Sequence, residues 1–267
     1  MKTKYILFAL MFMCTMFAHA QISKAHYNAV SNGYNFWFYR PDEDESDGVH
    51  RPLLLFLHGA SLCGNNLDRV KRYGPMDALR YGQIIDCYIL APQNPGGSWQ
   101  PQKLMNLIEW AEKNYNVDSN RIYVYGMSLG GYGTLDMCAT YPDRIACGMA
   151  LCGGATVKDL SGLSRIPMWI VHGTADRAVP VSASDRVVDA IKATGDSSRM
   201  IYDRMPGVDH GRPARIFYMK QTYDWMFSHS LEDEGRPINK DFKITKENMN
   251  SAYKDIRNNS KGIEAYE

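Results

Sequence analysis

Charges of opposite sign are nearly balanced in this sequence. Its 267 residues include 30 lysines and arginines against 29 aspartates and glutamates, which leaves a formal net charge of +1. A protein that binds a polyanion usually carries a marked basic excess, so the composition gives no indication of a nucleic-acid partner. Internal repeats and low-complexity tracts are absent. With 45% apolar and 22% charged residues, the chain has the composition of an ordinary globular protein.

Cysteine is scarce, and its spacing fits no metal site. Five cysteines follow the N-terminal segment: Cys63, Cys87, Cys138, Cys147 and Cys152. An odd number cannot all form disulfides, and no set of them has the spacing of a zinc site. Cys147 and Cys152 lie five residues apart along a predicted strand, so they would be roughly 16 Å apart and could not bridge each other. We therefore predict buried apolar thiols and no bound metal.

The N-terminus has the pattern of an export signal. Lys2 and Lys4 precede an apolar run from Tyr5 to Phe17, which is too short to span a membrane as a helix. Ala18-His19-Ala20 then fits a cleavage site with small residues. The sequence therefore predicts a signal peptide over residues 1–20, a secreted or periplasmic location and no membrane insertion after cleavage.

Strands and helices alternate through the rest of the chain. Alternating aromatic and polar residues over 22–40 predict an antiparallel hairpin at a sheet edge. The predicted strands that follow cover residues 51–57, 87–92, 122–125, 145–151, 168–171 and 199–205, and the predicted helices cover 104–115, 131–140, 182–194 and 213–227. This order favours an α/β fold with a mostly parallel central sheet and helices on both faces. Functional residues are then expected at the carboxyl ends of the strands.

A nucleophile elbow is predicted around Ser128. The apolar run from Ile122 to Tyr125 reads as a buried strand, Gly126-Met127-Ser128-Leu129-Gly130 follows it, and a helix comes next. The G-x-S-x-G motif indicates a serine nucleophile when it lies between a strand and a helix. Glycines are needed on both sides because a β-carbon there would collide with the neighbouring strand or helix. The serine itself is expected in a strained backbone conformation.

A serine hydroxyl needs a base, and the base needs an orienting acid. In this type of fold the three follow the order serine, acid, histidine. Asp176 follows the strand that ends at Val171, and His210 follows the strand that ends near Met205, so both share the sheet edge of Ser128. We predict these three residues as the catalytic triad.

Other acids and histidines lie near the same edge. Asp185 lies within a predicted helix, Asp203 lies within a predicted strand, and Asp209 neighbours His210. None of the three is therefore placed to orient that imidazole. His58 and His172 precede glycines at strand ends, where an imidazole can hydrogen-bond loop backbone. After residue 20, the remaining histidines outside the core strands are His26, His50 and His229.

Two backbone amides are predicted to form the oxyanion hole. One belongs to Leu129, the residue after the nucleophile, and the second is expected after His58-Gly59, with Ala60 as its donor. Trp99, in a Gly/Pro-rich loop, is a candidate for lining a substrate groove because aromatic faces pack well on sugars and phenyl rings. The alternative for Trp99 is a packing residue that anchors its loop.

Several of these motifs together resemble the secreted serine esterases of the α/β-hydrolase fold. They are Leu57-His-Gly-Ala60, Gly126-Met-Ser-Leu-Gly-Gly-Tyr-Gly-Thr134, Tyr141-Pro-Asp143, Leu151-Cys-Gly-Gly154, Val171-His-Gly-Thr-Ala-Asp176 and Asp209-His-Gly211. The nearest group is the predicted peptidase or phospholipase/carboxylesterase group, which is similar to feruloyl and acetyl-xylan esterases. The resemblance covers roughly residues 50–228 and implies no cofactor. It is specific for fold and triad, and much less so for substrate.

The sequence predicts three segments, and the resemblance implies several possible activities. Residues 1–20 are the signal peptide, residues 21–228 the α/β-hydrolase catalytic domain, and residues 229–267 a charged, loosely packed extension with no assigned chemistry. The acidic stretch Pro41–Gly48 reads as a solvated loop, because its spacing matches no EF-hand. The expected activity is hydrolysis of acetyl or feruloyl esters on plant polysaccharide. The alternatives are a serine peptidase, a small-acyl lipase and a non-catalytic binding protein.

Overall fold

The computed structural model describes residues 22–41 and 48–259. The signal peptide predicted over residues 1–20 and most of the acidic loop lie outside the described residues. Across the two described ranges, no helix is both long enough and apolar enough to cross a membrane.

An eight-stranded sheet forms the centre of the molecule. The strands are β1 (Ile22–His26), β2 (Asn35–Arg40), β3 (Arg51–Leu57), β4 (Tyr88–Gln93), β5 (Val117–Met127), β6 (Cys147–Leu151), β7 (Met168–Gly173) and β8 (Met200–Met205). Their spatial order is β1-β2-β4-β3-β5-β6-β7-β8. The pairs β1–β2 and β2–β4 are antiparallel and every other pair is parallel. The predicted edge hairpin and the mostly parallel sheet are confirmed.

Helices cover both faces of the sheet. They are α1 (Pro75–Arg80), α2 (Pro101–Asn114), α3 (Leu129–Thr140), α4 (Ser182–Ala193), α5 (Lys220–Phe227) and α6 (Lys246–Asn259), with 3-10 helices over Ala60–Leu62, Leu67–Lys71, Ser161–Arg165 and Arg212–Tyr218. Successive residues of β3 point to opposite faces. Leu53, Leu55 and Leu57 join the core under α2, α3 and α4, whereas Leu54 and Phe56 join the core under α1, α5 and α6. Burial on both faces explains why the central strands are continuously apolar.

The closing helix predicted over residues 213–227 is interrupted. A 3-10 helix ends at Tyr218, Met219 has extended backbone (φ −89°, ψ 123°), and α5 begins at Lys220. The side chains of Phe217, Tyr218 and Met219 are all buried. The Met219 amide still donates to the Ile216 carbonyl at 3.2 Å, and the extended backbone of Met219 then ends the 3-10 helix before α5 begins.

The prediction of a loosely packed segment after residue 228 is wrong for its described part. Ile244, Met249, Ala252 and Ile256 are buried in the same core as β3 and α5. Three of them recur along α6 at helical spacing, a pattern that the many charged residues around them obscure. The Arg236 guanidinium also hydrogen-bonds the carbonyls of Pro142, Ile145 and Ala146. The described segment therefore packs as part of the α/β domain.

Candidate active site

Ser128 lies in a sharp turn between β5 and α3. Its backbone has φ 59° and ψ −121°, in a region that residues with a β-carbon rarely adopt. The turn is held because the Ser128 amide donates to the Leu151 carbonyl at 2.8 Å and the Tyr132 amide donates to the Ser128 carbonyl at 3.0 Å. The strained serine predicted from the G-x-S-x-G motif is therefore present in the structure.

Close backbone packing explains both flanking glycines. A β-carbon at Gly126 would lie 2.4 Å from the Gly130 carbonyl oxygen, and one at Gly130 would lie 1.8 Å from the Leu57 carbonyl oxygen. Both distances are far below van der Waals contact, and the obstructing atoms are backbone. Only glycine therefore fits at either position, as the motif predicts.

Asp176 and His210 meet at the same edge of the sheet. Asp176 follows β7 and His210 follows β8, and His210 Nδ1 lies 2.6 Å from Asp176 Oδ2. The other carboxylate oxygen, Oδ1, accepts the amides of Ala178 at 2.9 Å and Val179 at 2.8 Å. Burial opposes ionisation of Asp176, but the hydrogen bonds from His210, Val179 and Ala178 outweigh it and lower the pKa of the carboxyl. Asp176 is therefore an anion at neutral pH.

The three competing acids are engaged elsewhere. Asp185 accepts from Tyr202 and Arg204, and Asp203 accepts from the Trp169 indole at 2.7 Å. Asp209 accepts the amides of Gly211 at 3.1 Å and Arg212 at 3.0 Å, and so caps the turn that carries His210. The preference for Asp176 agrees with these contacts.

The other candidate histidines hydrogen-bond backbone groups, stack on an aromatic ring or lie exposed. His58 is fully buried, its Nε2 accepts the Asn94 amide at 3.0 Å, and its Nδ1 donates to the Gly59 carbonyl at 2.8 Å. Burial lowers the pKa of His58 to about 4, so this imidazole is neutral. His229 Nδ1 lies 2.8 Å from the Trp225 carbonyl oxygen, and His26 stacks on Phe36. His50 is exposed.

The two predicted oxyanion donors lie beside the nucleophile. Within the described residues, neither Ala60 nor Leu129 donates its amide to a protein acceptor. A β-carbon at Gly59 would lie 3.3 Å from the Ser128 β-carbon, which places the loop of Ala60 against the serine. The Gly59 amide itself donates to the Tyr73 hydroxyl at 2.5 Å. The Tyr73 hydroxyl thus accepts the Gly59 amide, which neighbours that of Ala60. The two residues are 14 positions apart, and no local sequence motif indicates this contact.

The interpretation of Trp99 as a residue that lines a substrate groove requires a correction. Its side chain is 2% exposed, its indole N–H donates to the His58 carbonyl at 3.3 Å, and its ring packs edge-on against Tyr34. A β-carbon at Gly133 would lie 2.6 Å from the indole ring, so the ring lies directly against α3. The structure therefore shows Trp99 as a packing residue that anchors its loop rather than as the lining of a groove.

Three potential ligand atoms converge behind the Asp176–His210 pair. The polar atoms of Cys152, His172 and Asp176 lie within 4.8 Å of one another. Asp176 already accepts His210 and two amides, and His172 Nε2 lies 3.0 Å from the Val179 carbonyl oxygen. These existing hydrogen bonds satisfy the site as a polar network. The sequence indicated His172 as an imidazole that binds loop backbone, but did not reveal that it also faces the Asp176 carboxylate.

Comparison with known proteins places the chain among esterase-like sequences and structures. The family described as Phospholipase/Carboxylesterase matches residues 98–224. The chain is 42% identical over 88 residues to a probable acetylxylan esterase A of Aspergillus flavus, which covers 33% of this chain and 29% of the relative. It is 35% identical over 81 residues to a bifunctional acetylxylan esterase/xylanase of Neocallimastix patriciarum, which covers 30% of this chain and 12% of the relative. The chain thus spans less than a third of either curated relative.

A solved structure resembles the chain over a longer stretch. A thermostable esterase superposes with a TM-score of 0.65 and 26% identity, covering 79% of this chain and 63% of that one. The chain has the α/β-hydrolase fold. The resemblance to acetyl-xylan esterases, drawn from the motifs alone, is confirmed by these relatives.

Proposed function

We propose that this α/β-hydrolase is a serine carboxylesterase with Ser128, His210 and Asp176 as its triad. The observation that carries the proposal is the meeting of three features at one sheet edge. A strained serine follows β5, a buried carboxylate follows β7, and an imidazole held 2.6 Å from that carboxylate follows β8. The elbow and the acid–imidazole pair are the two halves of a serine-hydrolase site.

In the proposed mechanism Ser128 Oγ attacks the ester carbonyl carbon while His210 Nε2 accepts the hydroxyl proton. Asp176, bound to Nδ1, holds the imidazole in the tautomer that leaves Nε2 free and stabilises the imidazolium as it forms. The amides of Leu129 and Ala60 stabilise the developing oxyanion. His210 then protonates the leaving alkoxide, and water hydrolyses the acyl-enzyme by the same steps.

For the substrate we propose acetyl or feruloyl esters on plant polysaccharide. The two curated relatives described above are named for acetylxylan esterase activity, and the quoted motifs resemble the same group. An exported enzyme would meet such a substrate outside the cell, and export rests on the signal peptide predicted over residues 1–20. The substrate is thus a small or polymer-linked ester. Export is tested by N-terminal sequencing of protein recovered outside the cytoplasm. Cleavage after Ala20 would give Gln21 as the first residue.

The test of the proposed function is ester hydrolysis by the wild type and by Ser128→Ala. The panel contains p-nitrophenyl esters, methyl ferulate, acetylated xylan and peptide anilides, so that it also tests the peptidase and lipase alternatives. Removal of a triad member costs about four to six orders of magnitude in kcat. The matched control is Ser251→Ala on α6, which should keep full activity.

Three results would reject the proposal or its parts. Hydrolysis of peptide anilides in preference to every ester would favour the peptidase. A Ser128→Ala variant that retains more than a few per cent of wild-type activity would exclude Ser128 as the nucleophile. Activity lost on treatment with EDTA and restored by zinc would point instead to the convergence of Cys152, His172 and Asp176 as a metal site.

A further inference from the structure

We propose that His172 is a positioning residue of the triad, whose imidazole fixes the Asp176 carboxylate by binding both that carboxylate and the loop that carries it. The inference rests on the proposed function, because it assigns a role toward the acid of the same triad. It concerns a second histidine that the reaction itself does not need.

The imidazole of His172 is fully buried at the end of β7 and is bound through both ring nitrogens. Nε2 lies 3.0 Å from the Val179 carbonyl oxygen and 3.3 Å from Asp176 Oδ2. Nδ1 lies 2.7 Å from the Ser184 hydroxyl of α4, which is itself 2.7 Å from the Gly153 carbonyl oxygen. Because Nε2 faces two oxygens that can only accept, the proton of a neutral ring belongs on Nε2. The single proton of the Ser184 hydroxyl is then divided between two acceptors, Nδ1 and the Gly153 carbonyl.

His172 closes a ring of contacts around the acid. Val179 donates its amide to Asp176 Oδ1 at 2.8 Å and receives the His172 N–H on its carbonyl. The same N–H faces Asp176 Oδ2, the oxygen that holds His210. One imidazole therefore restrains the carboxylate directly and also through the residue that binds its other oxygen. Such a restraint limits which orientations of the acid are available to His210.

The charged and titratable groups around this network come from four elements. Asp176 is faced by His172 of β7, by His210 from the loop after β8 and by Cys152 from the loop after β6. The charge of Asp209, beside His210, contributes to raising the pKa of the Cys152 thiol, and Asp185 of α4 interacts electrostatically with His172. Burial lowers the pKa of His172 and raises that of Cys152, so both are neutral near pH 7 and Asp176 carries the charge that faces His210.

A matched pair of substitutions separates the contact of His172 Nδ1 from the contacts of its Nε2. His172→Asn retains an amide near the position of Nδ1, so it can still bind Ser184 but cannot reach Asp176. His172→Gln extends an amide to the position of Nε2 and can donate to both oxygens there. Ser184→Ala is the complementary control, since it removes the contact to Nδ1 and leaves the Nε2 contacts intact.

For His172→Asn we expect kcat to fall by about 10- to 100-fold with KM nearly unchanged, because the residue acts on the acid and does not touch substrate. The loss of one donor leaves more negative charge on Oδ2, which favours the imidazolium of His210. The acid limb of the pH–rate profile should therefore move to higher pH by about half a unit. His172→Gln should restore both quantities most of the way. Ser184→Ala should lower the melting temperature and leave the acid limb in place.

Equal losses in the Asn and Gln variants, or an unmoved acid limb in His172→Asn, would overturn the proposal and leave His172 a purely structural residue. A measurement on the wild type does not depend on any variant folding. Nitrogen NMR of labelled histidine should show His172 as the Nε2–H tautomer, and the Nδ1–H tautomer would also overturn the proposal.

The proposed function and this inference can fail separately. If the wild type hydrolyses no ester of the panel, the proposed function fails. Proton NMR then still tests the positioning through the downfield signal of the proton between His210 Nδ1 and Asp176, identified by its absence in His210→Ala. That signal should shift in His172→Asn and return toward the wild-type position in His172→Gln. An unchanged signal in His172→Asn would count against the inference alone.

Discussion

Asp176 and His210 are joined by a 2.6 Å hydrogen bond across 34 positions of sequence. The bond exists because β7 and β8 are adjacent and parallel, so the loops after them emerge side by side. The Asp176 carboxylate is held by two amides of its own loop, and Asp209 caps the turn that carries His210. Both partners are therefore fixed before any substrate binds.

Replacing Asp176, the acid of the proposed triad, should lower kcat far more than it changes KM. Asp176→Asn preserves shape but allows the imidazole tautomer that cannot accept the serine proton, so we expect a loss of about three to four orders of magnitude in kcat. The controls are Asp209→Asn and Asp203→Asn, measured on the same ester, which should lose far less. A loss in Asp209→Asn as large as that in Asp176→Asn would show that the acid has been assigned to the wrong loop.

The packing at the elbow predicts intolerance to a single methyl group. In Gly130→Ala the added carbon would lie 1.8 Å from the Leu57 carbonyl oxygen, so β3 or α3 must move. We expect a loss of about 3 kcal/mol or more in the free energy of unfolding, or no folded protein. In Gly211→Ala the nearest atom beyond the adjacent residues lies 3.9 Å away, and stability should stay within about 1 kcal/mol of wild type. Urea denaturation of both variants makes the comparison, and equal losses would contradict it.

The sheet and the meeting of Asp176 with His210 were predictable because the relevant signals are local or ordered along the chain. A continuous apolar strand such as Arg51–Leu57 indicates burial on both faces, and a G-x-S-x-G turn has few structural contexts. Once the sheet is parallel, residues that follow successive strands share one edge, which brings Asp176 and His210 together. The bounds of β3 and the start of α4 are as predicted, whereas α2 begins three residues and β5 five residues earlier than predicted. Hydrogen bonding at the ends of elements varies, so such differences are common.

Features that depend on long-range contacts were not predictable. Trp99 lies in a loop sequence that suits either a groove or an anchor, and only the approach of α3 at Gly133 decides between them. The contacts of His172 with Asp176 and Ser184 depend on how two loops and α4 fold over the end of β7. Ile244 and α6 are buried by contacts with distant elements, while the charge of their own segment suggests exposure.

Arg236 should contribute more to stability than an exposed arginine. Its guanidinium donates to the carbonyls of Pro142, Ile145 and Ala146, and burial lowers its pKa. Arg236→Met keeps most of the aliphatic stem but leaves these carbonyls without their donor, so we expect a loss of about 2–3 kcal/mol in the free energy of unfolding. The matched control is Arg165→Met, whose ion pair with Asp143 is exposed on both sides and should contribute less than about 1 kcal/mol. Equal losses by urea denaturation would show that the contacts of Arg236 with these carbonyls add no more stability than an exposed ion pair.

His58 should make the stability of the protein fall in mildly acidic solution. Its Nε2 accepts the Asn94 amide, so protonation there would bring two N–H groups face to face in a fully buried site. Burial lowers the pKa of His58 to about 4, against about 6.5 for an exposed histidine. Between these two values the unfolded chain binds a proton that the folded chain does not, so stability rises with pH and is lost as pH falls from about 6.5 toward 4. The full contribution of this proton binding to the free energy of unfolding is on the order of 3 kcal/mol.

His58→Asn should be less stable than wild type at pH 7 but should lose less stability on acidification. Urea denaturation of both proteins at pH 7, 5.5 and 4 measures the difference, and parallel curves would show that His58 does not cause the acid sensitivity.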